Sequence, residues 1–83
     1  MTIDQAISEL TSRILEACPT TVVRVKKRSD SEAAIRAYAP VDAEAAIKTA
    51  TSDMTLNLLI ESDLDVQVLV YDIATSLPPE QAS

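Results

Sequence analysis

The heptapeptide TLNLLIE, residues 55–61, decides the fold of this 83-residue chain. Read with period two it is a strand, with Leu56, Leu58 and Ile60 on one face and Asn57 and Leu59 on the other. Read with the helical period it is the end of a helix that begins near Asp42. The segment before it, VDAEAAIKTATSDM at 41–54, is helical on either reading, with Asp42 as the expected N-cap and Glu44 in the first turn. Ala43, Ala46, Ile47, Ala50 and Met54 share one stripe of that helix, and Leu56, Leu59 and Ile60 fall on its far side. Thr49, Thr51, Ser52 and Asp53 are weak helix formers. The spacing therefore predicts a helix ending near Met54 and a strand over 55–61. SDLD at 62–65 is then a hairpin turn, and VQVLVYD at 66–72 is a further strand with Val66, Val68 and Val70 inward.

Upstream, Thr2-Ile3-Asp4-Gln5 is a capping box, and Ile3, Ile7, Leu10, Ile14 and Cys18 recur on one helix face. Pro19 disfavours helical geometry at Cys18 and ends that helix. TTVVRVKKRSDSEAAIRAYAP at 20–40 reads as a hairpin. Val23 and Val25 alternate with Arg24 and Lys26, and Ile35, Ala37 and Ala39 alternate with Arg36 and Tyr38, around an RSDS turn. IRAYA at 35–39 and VLVYD at 68–72 share a pattern, which raises internal duplication as a possibility. The expectation is an α+β domain over residues 1–74, with two helices packed on one face of a mainly antiparallel four-stranded sheet in the order α-β-β-α-β-β. The alternative is one long helix over 42–61, the order α-β-β-α-β and a three-stranded sheet. ATSLPPEQAS at 74–83 lacks periodicity, and a flexible tail is expected over 75–83.

Composition excludes much chemistry. There is no His, so the usual general base and commonest metal ligand are missing. One cysteine, Cys18, permits neither an internal disulfide nor a cysteine-based zinc site and is expected to act as a small hydrophobe ending the first helix. Glycine is absent, which removes phosphate-cradling loops and glycine clamps in their usual forms. No charged leader pattern opens these residues and no apolar run approaches a membrane span, so a soluble cytoplasmic protein without membrane contact is expected. The apolar content is 47% but aliphatic, with two Tyr and no Phe or Trp. So light a core in so short a chain favours oligomerisation.

Thr51-Ser52 followed by Ser62-Asp63-Leu64-Asp65 resembles the Gly-Ser … Ser-Asp-x-Asp arrangement of minimal nucleotidyltransferases over residues 51–65. The resemblance implies that Asp63 and Asp65 hold magnesium, which bridges nucleotide phosphates. The departures from it are specific. The family's glycine is Thr51, the residues before it read as helix rather than strand, and after Asp72 only Glu80 remains as a third carboxylate. Ser-Asp-x-Asp is also sound turn chemistry, and that reading is adopted: no enzyme activity, no metal and no cofactor are expected.

Net charge is −6 but unevenly spread. Residues 20–40 hold Arg24, Lys26, Lys27, Arg28 and Arg36 against Asp30 and Glu32, whereas the remainder holds two bases against eleven acids. With Val23 and Val25 inward, Arg24, Lys26, Arg36 and Tyr38 share the outer sheet face, where they offer cations for phosphates and a ring for a base. On the second expected hairpin the same parity leaves Leu59, Leu69 and Tyr71 outward, a large apolar patch for a monomer. The expected function is a small non-catalytic protein-interaction module that self-associates through these three residues, most simply as a homodimer, or that takes another protein partner. Nucleic-acid binding through the basic hairpin, with Arg24, Lys26, Lys27, Arg28, Arg36 and Tyr38, is the alternative.

Overall fold

The computed structural model describes residues 1–76 of the chain. Their order is α1 (Ile3–Ala17), β1 (Val22–Lys27), β2 (Glu32–Ala39), a 3-10 turn (Val41–Ala43), α2 (Glu44–Ser62), β3 (Asp65–Asp72) and α3 (Ile73–Ser76). The strands form one sheet in the order β1-β2-β3, with β1 antiparallel and β3 parallel to β2. The α+β class is as expected. The four-stranded, mainly antiparallel sheet is not found: the sheet is three-stranded and mixed, with the element order of the long-helix alternative. Of the expected tail, Thr75 and Ser76 belong to the helical turn Ile73–Ser76, while residues 77–83, Glu80 included, lie outside the described residues.

α1 forms as its sequence dictates. The Gln5 N–H donates to Thr2 Oγ1 at 3.1 Å and the Thr2 N–H donates to Gln5 Oε1 at 2.9 Å, closing the capping box. Ile3, Ala6, Leu10 and Ile14 are buried along one stripe. Before Pro19, Cys18 turns to φ −150°, ψ 97° and ends the helix.

The first hairpin pairs as its alternation predicts, but Val25, expected inward, is 44% exposed near the end of the edge strand. Val23 pairs with Ala37 and Val25 with Ile35. Ala33, Ile35, Ala37 and Ala39 belong to one core with the buried stripe of α1 and with Ile47, Leu58, Leu64 and Val66. Three of those four β2 residues are alanine, so the central strand is a flat floor under the helices. In the turn, the N–H groups of Arg28 and Ser29 both donate to the Glu32 carbonyl, at 2.8 and 3.1 Å, and the Ser31 N–H donates to Ser29 Oγ at 3.2 Å.

Residues 55–61 are helix, not strand. Ile47, Thr51, Met54 and Leu58 recur at steps of four, three and four and face the core. Leu56 and Ile60, expected inward, are 55% and 67% exposed. Two threonines bond back to the helix. Thr51 Oγ1 donates to the Ile47 carbonyl at 2.9 Å and Thr55 Oγ1 to the Ser52 carbonyl at 3.0 Å. The start differs too: Asp42 lies in the 3-10 turn, and Ala43 caps α2 without a side-chain bond.

SDLD is correspondingly a helix-to-strand turn, not a hairpin turn. Asp63 takes the left-handed conformation, φ 54° and ψ 33°, the role glycine usually fills at a helix C-terminus. The N–H groups of Asp63 and Leu64 donate to the Leu58 carbonyl, and Leu64 packs back into the core. The Asp65 N–H then donates to the Ser31 carbonyl at 2.8 Å and starts β3. From there IRAYA and VLVYD lie side by side in register, Ile35 against Val68 through Ala39 against Asp72.

Two variants test this architecture in urea unfolding. Ile47→Ala, at a fully buried site, is expected to cost about 2–5 kcal/mol. Asp63→Gly is expected to stabilise by about 0.5 kcal/mol, because relief of the left-handed strain exceeds the extra chain entropy that glycine loses. A marked loss of stability in Asp63→Gly would show that the carboxylate, not the backbone geometry, governs this turn.

Candidate interaction surface at the free edge of the sheet

The sheet has two edges of opposite character. A residue in a strand directs its N–H and C=O to the same side, and successive residues alternate. The Asp65 N–H donates toward β2, so Asp65, Gln67, Leu69 and Tyr71 bond inward while Val66, Val68 and Val70 present their backbone groups to the free edge. At the opposite edge, β1 and its turn carry Arg24, Lys26, Lys27 and Arg28, charges that discourage another strand from pairing there. Between Asp65 and Asp72, β3 carries no charge.

α2 forms one wall of a groove along this uncharged edge. The groove has a volume of about 660 Å³ and is lined by Lys48, Thr51, Ser52, Thr55, Leu56 and Leu59 of α2 and by residues 65–69 of β3. Leu59 is 51% exposed. On the helical wheel both leucines lie outside the buried stripe of α2, Leu59 toward its flank and Leu56 nearly opposite it, and both reach the groove.

Of the three residues expected at an interface, Leu59 and Leu69 line this groove, although they reach it from different elements. Leu59 belongs to α2, so it does not share an outer sheet face with Leu69 and Tyr71. Tyr71 instead stacks on Tyr38, its partner in the register, with ring centroids 5.3 Å apart and planes 23° apart. Leu56 joins the groove although period-two alternation directs it into the core; the helical wheel instead turns it away from the buried stripe.

The basic residues divide. Arg24 and Arg36 are directly opposed in the register, and with Lys26 and Tyr38 they share the sheet face turned away from the helices. Lys27 is on the other face, with Nζ 3.3 Å from Asp4 Oδ1 of α1, and Arg28 lies in the turn. Tyr38 is only 3% exposed, so its ring is not open for a base to stack on.

Asp63 and Asp65 flank the turn into β3, and among the described residues no group of three His, Cys, Asp or Glu side chains is placed to hold a metal ion. Cys18 is half-buried against the core at the end of α1. The Thr20 hydroxyl, whose oxygen is 3.5 Å from the sulfur, and then that of Thr21 hold its thiol below the ordinary range. Compared with protein-family models, curated proteins and solved structures, the chain matches none.

Thr20→Val is expected to raise the Cys18 pKa, read as ultraviolet thiolate absorbance against pH. The thiolate loses a donor while the core contacts of the sulfur persist, so far-UV circular dichroism should not change.

Proposed function

We propose that this chain is a small non-catalytic protein-interaction module that self-associates as a homodimer through the free edge of β3 and the adjoining flank of α2. The observation that carries this reading is the contrast between the two sheet edges. β1 is guarded by four cationic residues, whereas β3 offers uncharged backbone beneath a half-exposed apolar wall of Leu56 and Leu59. The interior supports the same reading. Its largest fully buried side chains are Leu10, Ile14, Ile35 and Ile47, and much of the rest is alanine and valine, so further apolar burial between copies adds stability where the monomer has little. The surface has moved from the expected outer sheet face to the sheet edge, and Leu59 and Leu69 remain part of it.

Leu59→Glu tests the reading. The side chain is half-exposed in a single copy, so the monomer should keep its far-UV spectrum while self-association weakens by about tenfold or more. Light scattering across a concentration series reads both states. A wild-type protein that stays monomeric at the highest attainable concentration would overturn the proposal. A Leu59→Glu protein that unfolds would place Leu59 in the intramolecular core instead.

A further inference from the structure

If self-association runs through this edge, the backbone of β3 determines how two copies meet. Val66, Val68 and Val70 carry the outward N–H and C=O groups, and their side chains turn to the helix side of the sheet. We infer that β3 pairs antiparallel with β3 of a second copy about a two-fold axis at Val68, joining the two sheets into one continuous sheet of six strands. This inference rests on the interaction reading above and specifies its geometry.

Three features of the chain select this register. First, only an axis at Val68 matches all three outward residues with one another: Val68 with its own copy, and Val66 with Val70. Each pair then exchanges two N–H···O bonds. A shift of one residue to an axis at Leu69 would pair Val66 with Asp72, where the strand ends in α3 and the Asp72 carboxylate accepts from the Ala74 N–H at 2.9 Å.

Second, the opposed side chains are compatible. On the outer face Gln67 meets Leu69 and Asp65 meets Tyr71, with no like charges opposed. Third, α2 runs back alongside β3 and the lengths agree. Leu56 lies about 9 Å back from Ser62 at the helical rise, and Val68 about 10 Å into β3 from Asp65 at the strand rise. Leu56 is therefore level with Val68 in the same groove, and an axis at Val68 brings the grooves of the two copies together at the joined edge.

A two-fold axis perpendicular to the sheet keeps the helices of both copies on one face, and the closed pair leaves only the guarded β1 edges exposed. Head-to-tail addition of β1 to β3 would leave an unguarded β3 edge at every step and grow without limit.

Disulfide trapping in a Cys18→Ser background tests the register. Gln67→Cys and Leu69→Cys are purified separately, then mixed and oxidised mildly. Asp65→Cys and Tyr71→Cys form a second pair, in case one substitution weakens the contact. The expected result is a reducible cross-linked dimer in each mixture and little in any variant alone, because residues 67 and 69 face each other across the axis. Gln67→Cys or Leu69→Cys cross-linking to itself would place the axis elsewhere and overturn the inference. Dimers by light scattering with no cross-link in any mixture would overturn strand pairing while leaving self-association standing. Monomers throughout would remove both, and mass growing steadily with concentration would replace the two-fold pair with head-to-tail addition.

Discussion

The parallel pairing of β3 with β2 is the constraint on which the rest of this structure depends. An antiparallel neighbour can follow a short turn, but a parallel one requires the chain to travel back along the sheet before the next strand begins. α2 is that return. Its 19 residues cover the distance from the 3-10 turn to Asp63, and residues 55–61 are drawn into helix despite their alternating pattern. A hairpin at 62–65 would have abolished this connection and the groove beside it.

The same topology places β2 at the centre and explains its composition. A strand with neighbours on both sides and helices above it needs small side chains on its covered face, which Ala33, Ala37 and Ala39 provide around Ile35. β1 and β3 become the edges, and they are treated differently. Of the cations of the first hairpin, Arg24, Lys26 and Lys27 lie on the edge strand β1 and Arg28 in its turn, while Arg36 is on the central strand. Tyr38 is buried against Tyr71, its stacked neighbour across the register.

Much of the fold was legible in the sequence where one physical signal acted alone. The capping box at Thr2, the stop before Pro19 and the hairpin pairing over 22–39 appear as read, although Val25, read as inward, is exposed and Tyr38, read as outward, is buried. The signal conflicted at 55–61, where leucines are as good in helices as in strands and threonines argued against helix. The helix tolerates Thr51 and Thr55, whose hydroxyls bond to carbonyls within α2. The candidate surface was legible in part for the same reason. Leu59 and Leu69 stood out as apolar residues without a core position, but a single periodicity applied to both placed them on one sheet face rather than on a helix and a strand that converge.

The sequence by itself determined α1 and its buried stripe, the first hairpin, the inward parity of Val66, Val68 and Val70 and the uneven distribution of charge. These follow from capping, steric preference and the side-chain periods of helices and strands, all of which act over a few residues. Only the tertiary structure decided that β3 pairs parallel to β2, that SDLD ends a helix at a left-handed aspartate, and that Leu56 and Leu59 form a wall above the uncharged sheet edge. Strand neighbours are chosen by the burial of the whole sheet under α1 and α2, a collective free energy that no seven-residue window contains.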